Sequence, residues 1–286
     1  AKKIEGNVDY PINRGKHSAR CEASLQALYH PDRISGPLLR VGDRGNGQWE
    51  EISWTDALAR VMDGLDQLRH NHNETALVMA TGPISGYLAS ITSRFISKFG
   101  AKYISYEPLE QTTLRLAMKQ VFDQNTLPDF DIENTNYLLS FGADFLSTWV
   151  SPVRYARGYG EFRQGNRERG TFVHVDPRFS MTGANADDWV YVKPGMEGVF
   201  ALSMAQVIIS EGIGDSVAAA SLTKNGSVDL KDSAPEKVAE ALGVNADRIK
   251  QIARAFAHNQ PSLAIGGGSA AAHTNGLENL SAIYSL

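Results

Sequence analysis

The sequence predicts an α/β protein with two Rossmann-like, parallel-sheet domains that follow a small irregular N-terminal segment. Short apolar strand patterns alternate with helical patterns along most of the chain, which is typical of parallel sheets with crossover helices. Several of these strands end in glycine or in an acidic turn, where doubly wound sheets bind their ligands. The length of 286 residues also exceeds what one hydrophobic core usually supports.

The first part of the sequence predicts an irregular segment that is followed by alternating helices and strands. Residues 1–50 are rich in Pro, Gly, Asn and Arg without a sustained period, so extended segments and turns are expected there. Ser53 is the predicted N-cap of a helix that runs to about residue 70 with one buried face. The pattern then predicts strands at 76–80 and 103–106 and helices at 87–99 and 112–123.

The second part repeats this alternation. It predicts strands at 137–141, 171–175, 189–192 and 263–265, and helices at about 152–165, 197–211, 234–242 and 245–258. The chain begins with Ala1 rather than Met and ends inside a further predicted helix. We therefore expect it to be a piece of a longer protein.

Composition excludes several classes of function. The formal net charge is −4, and no dense run of Lys and Arg marks a nucleic-acid partner. No apolar stretch approaches the roughly 20 residues that span a bilayer, so no direct membrane span is expected. The arginines around residues 152–165 are expected to form a solvated face; they are Arg154, Arg157, Arg163, Arg167 and Arg169. Small molecules and protein partners remain.

The predicted strand ends suggest a nucleotide-like ligand. Gly82, Gly142, Asp176 and Gly266 each follow or end a predicted strand. Glycine lets backbone N–H groups approach phosphates, and an acid at a strand end can bind a ribose or a guanine edge. Each position alone is more often a structural turn, so only their coincidence carries weight. The common dinucleotide and phosphate-loop motifs are absent, which disfavours an ordinary NAD or ATP site.

Several phrases in the same order resemble the molybdopterin oxidoreductase (dimethyl sulfoxide reductase) family. These phrases are Gly6–Gly15, Leu28–Ile34, Pro37–Arg40, Ile52–Leu58, Val175–Arg178 and Lys193–Gly198. The resemblance implies that residues 1–50 are a remnant of the N-terminal iron–sulfur and pterin-contacting domain. Residues 51–108 with 259–286 would form the second domain, and residues 109–258 an inserted third domain.

The resemblance also implies a cofactor and the residues that bind it. The cofactor would be molybdopterin guanine dinucleotide, with an iron–sulfur cluster only if further cysteines exist upstream. Asp176 and Glu197 match positions that contact guanosine in the family, and Gly142 and Gly266 match positions near phosphates. The complete implied set is Arg20, Gly82, Gly142, Asp144, Asp176, Arg178, Glu197, Gly266 and Gly267.

Three departures from the family pattern affect its redox chemistry. Ser18 stands at the position of a cluster cysteine, and iron–sulfur clusters are held by thiolates. The window for the molybdenum ligand offers Glu107 and Glu110 but neither Cys nor Ser. Asp144 places a carboxylate where the family presents a neutral amide near phosphates, and like charges repel. These departures imply that a bound molybdenum would have to use Glu107, Glu110 or no side chain of this window.

The phrases Ser140–Leu146 and Trp149–Val153 resemble one branch of the family, the molybdopterin-like large subunits of menaquinone reductase complex and alternative complex III. The branch implies a degenerate subunit on the periplasmic side of the cytoplasmic membrane. Its partners would be iron–sulfur and cytochrome subunits, or quinone-interacting membrane subunits. Two alternatives stay open. One is an active molybdenum bis(guanine dinucleotide) oxidoreductase that acts on a small oxo-substrate, and the other is a nucleotide-binding α/β module.

Overall fold

The computed structural model describes residues 1–107, 111–165, 168–223 and 229–286, and the chain divides into two compact units. Unit 1 comprises Ala1–Lys3 and Arg20–Glu110, and unit 2 comprises Ile4–Ala19 and Gln111–Leu286.

Among its described residues, unit 1 contains two small sheets and three α-helices. In chain order its elements are α1 (Ala19–Leu28), β1 (Leu38–Arg40), β2 (Trp49–Glu51), α2 (Trp54–His70), β3 (Val78–Thr81), α3 (Gly86–Phe99) and β4 (Lys102–Ser105). The strands β1 and β2 are antiparallel, whereas β3 and β4 are parallel. The predicted strand, glycine turn and helix therefore occur in order, and α3 ends at Gly100, whose φ of 86° is left-handed.

Two expectations for unit 1 were wrong. Helix α1 lies where turns were expected; none of its residues is buried, and it is rich in strong helix formers. Helix α2 begins as predicted, with the Ser53 hydroxyl accepting from the Asp56 backbone N–H at 3.1 Å. Its expected buried face is absent, however, and Leu58 and Val61 are each 59% exposed. A two-stranded sheet offers little surface for a helix to cover.

Unit 2 contains a four-stranded sheet. In chain order its elements are α4 (Thr112–Phe122), β5 (Tyr137–Phe141), α5 (Pro152–Gln164), β6 (Thr171–Val175), α6 (Met181–Ala184), β7 (Asp188–Val190), α7 (Glu197–Glu211), α8 (Ser216–Leu222), α9 (Pro235–Leu242), α10 (Ala246–His258), β8 (Ser262–Gly266) and α11 (Gly276–Tyr284). The strand order is β7-β6-β5-β8, and every pair is parallel. The predicted fold class, mixed α/β with parallel sheets, is confirmed.

The register of this sheet aligns the ends of its strands. Phe141, the last residue of β5, lies opposite Val175 of β6 and Gly266 of β8. All five residues of β5 are buried, as expected for a central strand of a parallel sheet covered on both faces. The loops that follow β5, β6 and β8 consequently leave the sheet at the same edge.

The structure groups residues 262–266 with unit 2, because β8 pairs with β5. The family resemblance instead implies that residues 259–286 belong to the same domain as residues 51–108. These domain boundaries remain a prediction. Within the described residues, no helix combines the length and the hydropathy that a bilayer crossing needs.

The arginines of α5 and the segment after it do not form the expected solvated face. The side chains of Arg154 and Arg163 are each only 10% exposed and pair with acids from neighbouring segments. Arg163 donates to Asp187 at 2.7 Å, and Arg169 donates to the same carboxylate at 2.8 Å. Arg167 lies outside the described residues. The expectation failed because the acids that pair with these arginines lie 18 to 25 residues away along the chain.

We expect Asp187→Asn to lower the free energy of unfolding by about 1–3 kcal/mol near neutral pH, since Asp187 also accepts the Phe172 N–H at 2.8 Å. Hydrogen bonding from Arg163 holds the pKa of Asp187 below its ordinary value. The extra free energy of unfolding of the wild type is therefore present above the unfolded-state pKa of Asp187. It is lost as pH falls through the lower folded-state pKa.

Urea unfolding of both proteins across a pH series measures this difference. Asp123→Asn is the matched control, because Asp123 is ion-paired with the exposed Lys119 and already adopts a left-handed conformation that Asn tolerates. Equal stability of the wild type and Asp187→Asn at every pH would contradict the structural role of this carboxylate.

Candidate functional site

The loops after β5, β6 and β8 form what we call the carboxyl-edge site of unit 2. Gly142, Asp176 and Gly267 are the first residues beyond these strands. The Gly142 N–H donates to Val175 O at 2.9 Å, and the Gly267 N–H donates to Phe141 O at 3.1 Å. These bonds extend the ladder beyond the strands, so the three loops start side by side where parallel sheets bind ligands.

Two glycines of this site leave no room for a larger side chain, because other parts of the chain pack directly against them. Gly142 has a φ of 64°, and a Cβ there would lie 2.2 Å from the Ser269 hydroxyl. A Cβ on Gly267 would lie 2.0 Å from Trp149 Nε1. Gly266 is engaged by Tyr284, whose hydroxyl donates to Gly266 O at 2.6 Å. The glycines bring the loops into direct contact with each other and with buried side chains.

The loop after β5 uses most of its N–H groups within the chain. The N–H groups of Ser147, Thr148 and Trp149 all donate to the backbone oxygen of Asp144, at 3.0 to 3.1 Å. The Leu146 N–H donates to the Thr182 hydroxyl at 3.3 Å. A phosphate cradle needs N–H groups that point at the ligand, and these four groups already have acceptors.

The Asp144 carboxylate is held by two side chains that follow β6. The Thr182 hydroxyl donates to Asp144 Oδ1, and Arg178 Nη2 donates to Oδ2 at 3.3 Å. The side chain of Asp144 is 13% exposed, whereas that of Arg178 is 69% exposed. A negative charge from the chain itself therefore lies in the carboxyl-edge site.

Both oxygens of the Asp176 carboxylate face groups of the protein. Oδ1 accepts the Arg178 N–H at 2.8 Å and lies 3.4 Å from the Ser269 hydroxyl that donates to it. Oδ2 lies 3.3 Å from His174 Nε2, but the angle is not that of a hydrogen bond. Asp176 is only 1% exposed, and His174 is fully buried. No oxygen of Asp176 is open to a ligand in this conformation.

Glu197 is the first residue of α7 and is fully buried. Among the described residues neither of its carboxylate oxygens has a hydrogen-bond partner. Burial raises the pKa of Glu197, and the nearby N–H groups of Gly195 and of Glu197 itself, which miss hydrogen-bond geometry, offset only part of this effect. The carboxyl group is thus biased towards its neutral, protonated form.

The remaining sequence-predicted residues lie in unit 1 or near its start. Gly82 follows β3 and is exposed, with no atom near enough to restrict a side chain. Arg20 is an exposed residue of α1, and Ser18 directly precedes that helix. Glu107 is exposed beyond β4, and Glu110 lies outside the described residues. Across the described ranges, no three His, Cys, Asp or Glu side chains are arranged to hold a metal ion.

The structure brings together six of the predicted residues in unit 2, namely Gly142, Asp144, Asp176, Arg178, Gly266 and Gly267. Sequence reasoning missed Thr182, His174 and Ser269, which contact the two acids. It also missed Asn279, whose Oδ1 accepts the Gly198 N–H at 3.1 Å and thereby ties the start of α7 to α11. No local motif marks Thr182, Ser269 or Asn279, because each finds its partner across at least two intervening elements. His174 lies two residues before Asp176 at the end of β6, and this period-2 spacing is a signal that could have found it.

Comparisons with known proteins agree with this fold. A model of the molybdopterin oxidoreductase family matches residues 33–286. The menaquinone reductase, molybdopterin-binding-like subunit, of Nitratidesulfovibrio vulgaris is 29% identical over 266 residues, covering 93% of this chain and 37% of that protein. Dimethyl sulfoxide reductase DmsA of Escherichia coli is 25% identical over 302 residues, covering 92% of this chain and 37% of that protein.

A solved structure shows the same fold. Acetylene hydratase from Pelobacter acetylenicus superposes with a TM-score of 0.73 at 20% identity, over 96% of this chain and 38% of that chain. The chain spans little more than a third of the length of these relatives.

The buried carboxyl group predicts an unusual pH dependence for Glu197→Gln. Because the folded-state pKa of Glu197 is raised, its favourable contribution is present below the unfolded-state pKa and is lost as pH rises through the folded-state pKa. Glutamine does not ionise, so the free-energy cost of its burial does not rise with pH. We therefore expect the stability of Glu197→Gln relative to wild type to improve as pH rises from the unfolded-state pKa of Glu197 to its raised folded-state pKa.

Urea unfolding midpoints at several pH values measure this change. Glu211→Gln is the control, since Glu211 is ion-paired with Arg254 near the surface and its pKa is lowered instead. A stability difference between the wild type and Glu197→Gln that does not vary with pH would contradict the assigned state of Glu197.

Proposed function

Because the chain belongs to the molybdopterin oxidoreductase family, we propose that it is part of a large subunit that keeps the family fold as a scaffold and lacks a molybdenum centre. The subunit would work in a membrane-attached, quinone-linked electron-transfer complex. The family implies a molybdenum–pterin cofactor. One observation carries the proposal: the N–H groups of residues 146–149 and the carboxylates of Asp144 and Asp176 are hydrogen-bonded within the chain itself.

The residues of this site do not fit the guanine dinucleotide form of the cofactor. Its phosphates would need free N–H groups, but those of residues 146–149 have acceptors within the chain. They would also meet the Asp144 carboxylate, and like charges disfavour each other. A guanine would need open acceptor oxygens, but both oxygens of Asp176 face the protein and Glu197 is fully buried.

The donor set also departs from that of the family's redox centres. Residues 106–113 contain neither Cys nor Ser, so Glu107 and Glu110 are the anionic side chains of that window. Carboxylates are hard ligands, unlike the thiolates that hold iron–sulfur clusters. Ser18 cannot supply a thiolate at the position of the family's cluster cysteine. These substitutions favour a subunit whose own chain does not carry electrons.

The partners follow from this assignment. A scaffold without a redox centre requires neighbouring subunits for electron transfer, and we assign this role to iron–sulfur and cytochrome subunits together with a quinone-interacting membrane subunit. The relative from Nitratidesulfovibrio vulgaris is named as a subunit of a menaquinone reductase. The resemblance to that branch supports a complex on the periplasmic side of the cytoplasmic membrane.

We expect the natively purified full-length protein to contain neither molybdenum nor tungsten in stoichiometric amount. Metal analysis by mass spectrometry and fluorescence assay of the oxidised pterin measure this directly. A dimethyl sulfoxide reductase purified and treated in the same way is the positive control. Stoichiometric metal together with pterin would overturn the proposal and would favour an active oxidoreductase that acts on an oxo-substrate.

A further inference from the structure

The carboxyl-edge site contains an anion that belongs to the chain. We infer that Arg178 and Thr182 form an oxyanion-binding site of the phosphate class, and that the Asp144 carboxylate occupies this site as an internal substitute for a ligand. The inference rests on the proposed function, because the occupation of the site by Asp144 would explain why this subunit does not bind a dinucleotide.

The contacts of Asp144 are those that a phosphate oxygen pair would make. One carboxylate oxygen accepts from the Thr182 hydroxyl and the other from the Arg178 guanidinium, at 3.3 Å in the second case. The guanidinium is always charged and presents several donors in a planar fork, which suits both carboxylates and phosphates. The location supports the same ligand class, since the site lies beyond the carboxyl ends of β5 and β6.

The Thr182 hydroxyl and the backbone of Arg178 are positioned independently of the Asp144 side chain. The Thr182 hydroxyl is fully buried and is fixed by the Leu146 N–H, which donates to it at 3.3 Å. Arg178 is fixed at its backbone, where its N–H donates to Asp176 Oδ1 at 2.8 Å. Removal of the negative charge at residue 144 would therefore leave the Thr182 hydroxyl in place and the Arg178 guanidinium without its anion.

The loop itself also tolerates a change of this side chain. The three N–H groups of residues 147–149 donate to the backbone oxygen of Asp144, not to its carboxylate. Asparagine has the same shape, and its side-chain oxygen can still accept from Thr182. Asp144→Asn therefore removes the charge without removing the turn. The 69% exposure of the Arg178 side chain gives a small anion access from solvent.

Titration of the full-length protein with inorganic pyrophosphate by calorimetry tests the inference. We expect weak or undetectable binding to the wild type and at least about tenfold tighter binding to Asp144→Asn, because a like charge within a few ångströms is removed. The double variant Asp144→Asn with Arg178→Ala should lose the gained binding. Asp123→Asn is the control for net charge, since it removes the same charge from an exposed position and should behave as wild type.

The outcomes separate the inference from the proposed function. If neither the wild type nor Asp144→Asn binds pyrophosphate, and circular dichroism shows both folded, the inference is wrong while the scaffold proposal stands. If the wild type already binds pyrophosphate as tightly as Asp144→Asn does, the site is open to phosphates. That result would contradict both the inference about Asp144 and the scaffold proposal. Gained binding that persists without Arg178 would show that the anion binds elsewhere, which also overturns the inference. Should Asp144→Asn fail to fold, Asp144→Ser removes the same charge and keeps an oxygen near Thr182.

Discussion

The parallel pairing of β5 with both β6 and β8 is the constraint on which the site depends. It sets Phe141 opposite Val175 and Gly266, so the loops after three strands begin at one level. Backbone hydrogen bonds, rather than any local motif, thus bring Asp144 beside Thr182, which lies 38 residues further along the chain. The glycines at 142 and 267 then allow these loops to touch, because a Cβ at either position would overlap its neighbours.

Buried polar groups need partners, and the source of those partners distinguishes a scaffold from a binding site. At the carboxyl edge of unit 2 the chain supplies them: Asp144 accepts from Thr182 and Arg178, and Asp176 accepts from Arg178. A protein that takes up a dinucleotide leaves such groups open for the ligand. Among the described residues, the Glu197 carboxyl group, the ring nitrogens of His174 and Trp149 Nε1 are buried without a hydrogen-bond partner. For Glu197, protonation lowers the cost of this burial.

Much of the fold was predictable, because buried strands and helix caps have local signals. The apolar run at 137–141 and the Ser53 cap are examples, and both occur as predicted. Sequence periodicity could not show α1, which has no buried residue, or the ion pairs of Arg154 and Arg163, whose acids come from other segments. The positions of Gly142, Asp144 and Asp176 came from resemblance and strand ends, whereas the engagement of their polar groups needed the three-dimensional structure.

The central claim is that the N–H groups of the loop after β5 bond to the chain itself. Native-state hydrogen exchange of Ser147, Thr148 and Trp149 in the full-length protein tests it most directly, since all three donate to Asp144 O. The account predicts that these amides are protected without any added compound and that phosphate-bearing compounds do not change their exchange. Fast exchange that slows when such a compound is added would contradict it.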